Sequence, residues 1–147
     1  MKNYYIGIMS GTSMDGIDAV LAEISDDGQT SVLCHKDVPF EESLKNTYLD
    51  LQSPSQNELH KEALAANHLA QHYHLVCAAI LQEVKLQPSD ISAIGAHGQT
   101  IRHQPHLGDM AYTHQTLNAA LLAEKMGIDV IADFRSRDLA AGGHGAP

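Results

Sequence analysis

The stretch Tyr4 to Ile24, YYIGIMSGTSMDGIDAVLAEI, constrains this chain more than any other. Tyr5, Ile6, Ile8 and Met9 form an apolar run with β-branched members, the pattern of a buried strand. Asp15-Gly16 predicts a hairpin with a type I′ turn, whose positive φ favours that dipeptide. Ile17, Ala19 and Leu21 alternate with Asp18, Val20 and Ala22, so a second strand returns beside the first. Between them, Ser10-Gly11-Thr12-Ser13 carries more hydroxyls than a plain turn requires. Gly11, Thr12 and Ser13 offer backbone N–H groups, hydroxyl donors and little bulk, which suits close approach to a polyphosphate. Asp15 and Asp18 are placed to hold a cation or its water shell beside it. The competing reading is a polar turn whose hydroxyls satisfy the local backbone.

Beyond this hairpin, Asp26-Asp27-Gly28 makes a turn into a third strand over Ser31 to Val38, with Val32 and Cys34 expected on one face. Ser43 to Leu51 predicts a short helix, ended by Ser53-Pro54-Ser55. Asn57 to Leu86 is the longest periodic segment. Ala65, Ala66, Leu69, Tyr73, Val76, Ile80 and Val84 fall on one side of a helical wheel, with Glu62 beside them snorkelling and Ser55 or Asn57 as the cap. His68 and His72 stand four apart, but no third ligand accompanies them, and they read as surface or boundary residues with His74 pointing away.

Ile91 to Ala96 predicts a buried strand that runs into His97-Gly98-Gln99-Thr100. Ligands in open α/β sheets bind beyond the carboxyl ends of strands, so this polar loop is a site candidate. Ile101 to His103 and Ala111 to Gln115 can pair across Pro105 to Gly108. A helix follows over Leu117 to Met126, stopped by Gly127, then a strand over Ile128 to Phe134. The chain therefore reads as α/β: a mixed sheet with an antiparallel meander, then parallel strands, and helices on both faces.

The three arginines, Arg102, Arg135 and Arg137, all lie just past predicted parallel strands, where bidentate recognition of carboxylate or phosphate would be useful. Asp133 and Asp138 read as their ion-pair partners. A net charge of -9 excludes non-specific nucleic-acid binding. Cys34 and Cys77 lack metal-type spacing and imply a reducing compartment without a disulfide. With no signal peptide and no apolar run of membrane-spanning length, a cytoplasmic location is expected.

IGIMSGTSMDGIDAVLA at 6–22, IGAHGQTIRH at 94–103 and ALLAEKMGIDVIADFRSRDLAAGGHGAP at 120–147 together resemble the bacterial anhydro-N-acetylmuramic acid kinases. The resemblance implies a ribonuclease-H-like, actin-like ATPase lobe. It also implies that residues 1–147 are the N-terminal lobe of a longer two-lobed enzyme, as the glycine-rich AAGGHGAP at the end suggests. The implied reaction takes the γ-phosphoryl group of ATP, with Mg²⁺, to O6 of 1,6-anhydro-N-acetylmuramic acid. Water opens the anhydro bridge, giving N-acetylmuramic acid 6-phosphate in peptidoglycan recycling. By the same resemblance Gly11, Thr12, Ser13, Met14, Asp15, Gly16, Ile17 and Asp18 form the ATP segment. His97, Gln99 and Thr100 look like the sugar side, and Arg135 like a contact for the lactyl carboxylate. No resident protein-held metal is implied, the general base lies beyond residue 147, and a homodimer is the suggested assembly. The sequence departs from the family at Leu117-Asn118-Ala119 and at His144, where glutamine is usual. Like the family, it has Met9 where the superfamily's first phosphate loop has aspartate. A non-catalytic actin-like nucleotide sensor is the alternative from another class. A histidine metal module, motivated by ten histidines, is a third.

Overall fold

The structure is a computed structural model that describes residues 3–145. Across its main sheet the strands lie in the order Thr30–Pro39, Gly16–Ile24, Asn3–Ser10, Ile91–Ala96, Val130–Ala132. Strands β1 (Asn3–Ser10), β2 (Gly16–Ile24) and β3 (Thr30–Pro39) form the antiparallel meander. Strands β4 (Ile91–Ala96) and β7 (Val130–Ala132) add to β1 in parallel. Meander first, parallel strands second is the ribonuclease-H-like order that was expected. A separate hairpin, β5 (Gln99–Gln104) with β6 (Tyr112–Thr116), leaves the end of β4.

Helix α2 (Glu58–Val84) carries the core. Leu69, Tyr73, Cys77 and Ile80 recur at helical spacing and are fully buried. They pack with Ile6, Ile8, Ile17, Ala19, Leu21 and Ile94 of the sheet in one hydrophobic cluster. Each such aliphatic side chain removed from water contributes about 1.5–3 kcal/mol. Helix α1 (Glu42–Leu51) packs on α2, as does α3 (Ala119–Met126), which also meets β7. Asn118 caps α3 by accepting the Leu121 N–H at 2.9 Å, which gives the unusual Leu117-Asn118-Ala119 a local purpose.

Local structure departs from sequence expectation in four places. Asn57 precedes α2 with a left-handed backbone and makes no side-chain cap. A bulge in the β2–β3 pairing puts Cys34 opposite Leu21 in the core but turns Val32 out, so the two occupy opposite faces. His74 does not point away; its Nδ1 lies 3.1 Å from the Met126 sulfur on α3. The strand expected to run to Phe134 ends at Ala132, and Phe134 instead opens helix α4 (Phe134–Ala140).

Helices α1, α2 and α3 all serve the same face of the sheet. On the other face Met9, Val32, Ile131 and Phe134 stay 43%, 63%, 58% and 44% exposed. Phe134 of α4 lies over this face, where a Cβ on Gly95 would be 3.5 Å from its ring. Among the described residues the three longer helices thus cover one face, and α4 reaches the other through Phe134. The reason is topological: both crossovers, to β4 and to β7, step the same way across the sheet, and right-handed connections then land on the same side. Among the described residues no helix is long and apolar enough to cross a membrane.

Candidate functional site

The parallel strands β1, β4 and β7 end at one edge of the sheet, so the segments after Ser10, Ala96 and Ala132 converge there. The loop after β1 closes with the Met14 N–H donating to the Gly11 carbonyl at 3.1 Å. Met14 takes φ 55° while its side chain is buried. The positive φ thus falls on Met14 rather than on Asp15-Gly16, because a side chain anchored in the core holds a backbone that glycine would otherwise supply. Gly16 is required for another reason: a Cβ there would lie 2.5 Å from the Val38 carbonyl oxygen.

Of the residues assigned to this loop, Thr12, Ser13 and Asp15 are exposed and Gly11 is half-buried. Thr12 and Ser13 form no side-chain hydrogen bond among the described residues, so their hydroxyls are not spent on the local backbone. Met14 and Ile17 face the core, leaving only their backbones to meet a ligand. Asp18 emerges on the opposite side of β2, where His35 Nε2 is 3.4 Å from its carboxylate. The loop can hold a phosphate chain through Gly11, Thr12 and Ser13, with the Asp15 carboxylate beside it. Among the described residues no group of three His, Cys, Asp or Glu side chains converges to hold a metal ion. A cation here would come with the phosphates.

The loop after β4 is bound tightly to β1. The His97 N–H donates to the Ile8 carbonyl at 3.0 Å, and the buried Ser10 hydroxyl donates to the Gly98 carbonyl at 3.1 Å. Tyr73 reaches Ser10 from α2 at 3.3 Å. Gly98 has φ 80°, and a Cβ there would lie 2.8 Å from the Thr116 carbonyl oxygen. His97 Nδ1 donates to the Gly98 carbonyl at 2.9 Å, which leaves Nε2 as an acceptor, buried and without a partner among the described residues. The His97 pKa lies below its ordinary value. Burial is the main cause, the Gly98 carbonyl opposes it, and the charge of Arg135 adds to it. Arg135, on α4, therefore sits within electrostatic reach of His97.

Gln99 and Thr100 open β5 rather than continuing a loop. Gln99 is fully buried with its Oε1 unpartnered among the described residues, and Thr100 is 7% exposed. The arginines do not act together. Arg102 is ion-paired to Glu58 of α2, which makes it a structural tie of the hairpin to the helix. Arg135 and Arg137 form no ion pair with Asp133 or Asp138 among the described residues. Asp138 Oδ2 instead accepts the Gly145 N–H at 2.8 Å, closing the glycine-rich turn. A Cβ on Gly145 would lie 3.5 Å from Arg135 Cβ and 3.3 Å from the His103 ring. His144 meets His106 edge to face, with ring centroids 5.5 Å apart.

Sequence reasoning missed Tyr73, taken only as part of an apolar stripe. The signal was there: a tyrosine centred on a buried stripe needs a partner for its hydroxyl. Glu62, expected to snorkel, instead accepts from the Thr116 hydroxyl of β6. Both cysteines are buried thiols, and burial pushes Cys77 up to about 12.

The family model described as anhydro-N-acetylmuramic acid kinase matches residues 3–147. The chain is 56% identical over 144 residues to the Ralstonia nicotianae protein of that name, covering 97% of this chain and 37% of the relative. It is 52% identical over 148 residues to the one from Albidiferax ferrireducens, covering 100% of this chain and 38% of the relative. The chain thus spans under two fifths of the length of these curated relatives. Among solved structures, Thermus thermophilus RuvC is similar with a TM-score of 0.44 and 15% identity, over 98% of this chain and 72% of that one.

Proposed function

The chain belongs to the anhydro-N-acetylmuramic acid kinase family, and from that premise we propose that the full-length protein carrying it phosphorylates 1,6-anhydro-N-acetylmuramic acid with ATP. Water adds at C1 and loses a proton to a base, the C1–O6 bond breaks, and O6 takes the γ-phosphoryl group as ADP leaves. The product is N-acetylmuramic acid 6-phosphate, as peptidoglycan recycling in the cytoplasm requires. The observation that carries this reading is a loop with free hydroxyls joined to the His97 loop through the Ser10–Gly98 hydrogen bond.

In this reading Gly11, Thr12 and Ser13 receive the phosphates through backbone N–H groups and hydroxyls. Gly16, Met14 and Ile17 hold the loop in shape. Asp15 is the carboxylate best exposed to order the water shell of Mg²⁺, which supplies neutralisation of phosphate charge. Asp18, held on the opposite face, contributes less. His97 Nε2 accepts from a sugar hydroxyl, Gln99 and Thr100 add polar contacts, and Arg135 pairs with the lactyl carboxylate. Residues 1–147 act as the N-terminal lobe. The base and the second lobe come from the remainder of a chain as long as its relatives, and the assembly is a homodimer. Phosphoryl transfer needs donors from both lobes and exclusion of water, so the 147-residue piece alone is expected to be inactive. The test is ADP release by full-length protein given ATP with and without the anhydro sugar. ADP release that ignores the sugar would leave a nucleotide-binding protein and remove the kinase.

A further inference from the structure

The four buried polar side-chain atoms without a partner among the described residues all lie between positions 97 and 115: His97 Nε2, Gln99 Oε1, Arg102 Nε and Gln115 Oε1. Unpaired buried polar atoms are rare in folded proteins, so this concentration marks the β5–β6 region as one that takes a polar ligand. Gln115 belongs to no motif singled out in the sequence, yet it is at the centre of the hairpin's polar face. Thr100 pairs with Gln115 and His103 pairs with Thr113 across the two strands. Their side chains form a continuous chain. Gln115 Nε2 donates to Thr100 Oγ1 at 3.3 Å and to Thr113 Oγ1 at 2.7 Å, and Thr113 Oγ1 is 3.0 Å from His103 Nδ1.

This chain has a consequence for Thr100. A threonine hydroxyl has one proton and two lone pairs. The Gln115 amide fills one lone pair, and among the described residues the Thr100 hydroxyl makes no other hydrogen bond. Its proton is left to donate, and the direction of that proton is set by where Gln115 sits. Gln115 is in turn fixed by Thr113.

We propose that Gln115 is a positioning residue for the acceptor sugar: by filling a lone pair of Thr100, it turns the Thr100 proton toward an uncharged oxygen of the substrate. The inference rests on the reading above that Thr100 faces the sugar.

The test uses the full-length protein, with KM measured separately for sugar and for ATP. Gln115→Ala is expected to raise the sugar KM about fivefold, the cost of one misdirected hydrogen bond, and to leave the ATP KM within about twofold. Thr100→Val is expected to do at least as much. Because Gln115 acts through Thr100, adding Gln115→Ala to Thr100→Val should change the sugar KM no further. Gln115→Glu, close in shape, would accept the Thr100 proton instead of filling its lone pair, so it should resemble the alanine variant; a packing role predicts wild-type behaviour. An unchanged sugar KM in folded Gln115→Ala, or additive effects in the double variant, would overturn the inference while leaving the kinase standing. Wild-type protein without sugar-dependent ADP release would sink the kinase reading, and this inference with it.

Discussion

The Ser10 hydroxyl at the end of β1 donates to the Gly98 carbonyl after β4 at 3.1 Å, in the buried interior. One hydrogen bond therefore ties together the two loops assigned to nucleotide and sugar in the proposed function. Tyr73 of α2 leans on the same hydroxyl at 3.3 Å, so the junction is anchored to the core helix. Ser10→Ala removes the donor and strips the Tyr73 hydroxyl of its side-chain partner. The expected loss of stability is about 1–3 kcal/mol, read by urea unfolding. Tyr73→Phe in the same background should then cost less than it does in wild type, because its partner is already gone.

Gly11 borders the exposed hydroxyls of Thr12 and Ser13, and even a Cβ there would lie 3.3 Å from Ser13 Oγ. Gly11→Val should crowd the loop and block close approach of phosphates. ATP affinity of the full-length protein is expected to fall more than about tenfold, since several donors of about 1 kcal/mol each are displaced. The melting temperature without nucleotide should barely move, as the loop is at the surface. Calorimetric titration showing wild-type affinity would reduce the loop to a plain connection between strands.

Gly16 is a different kind of glycine. Its backbone is ordinary, but a Cβ would lie 2.5 Å from the Val38 carbonyl oxygen and 3.1 Å from Pro39 Cα. Gly16→Ala must push β2 and β3 apart at their pairing. The expected cost is about 1–3 kcal/mol, as for other overpacked sites. A thermal melt at wild-type temperature would show that this edge of the meander yields freely.

His97 predicts a pH dependence whose sign is set by burial. Its pKa is held below the ordinary 6.5, chiefly by burial and further by Arg135, against the opposing Gly98 carbonyl. The unfolded chain therefore takes up a proton at pH values where the folded chain does not. The contribution to stability is complete above the unfolded value and is lost as pH falls through it toward the folded value. Melting temperatures of wild type and His97→Asn, followed from about pH 8 to about pH 5, should differ in slope below about pH 6.5, with wild type the steeper. Parallel curves would mean that His97 titrates alike in both states.

Alternation and helical spacing alone made the meander, the long helix and the parallel strands legible. Ile6, Ile8, Ile17, Ala19 and Leu21 repeat with period two, and Leu69, Tyr73 and Ile80 with the helical period, and all are buried as that pattern requires. The segment Gly11 to Asp15 was legible as a connection between two strands, because its glycine and polar residues interrupt the apolar alternation on either side. Strand pairings within the two hairpins were legible, but side-chain partners far apart in the chain were not. Which turn residue takes positive φ depended on Met14 finding a place in the core, and which face Val32 occupies depended on a one-residue bulge. Whether Arg102 or Arg135 is free for a ligand depended on Glu58 lying close to the hairpin across a long separation in sequence. Local pattern reports how each segment divides between water and core. Hydrogen-bond partners distant in the chain are set by how those segments pack, so only the tertiary structure joined Ser10 to Gly98 and Gln115 to Thr100.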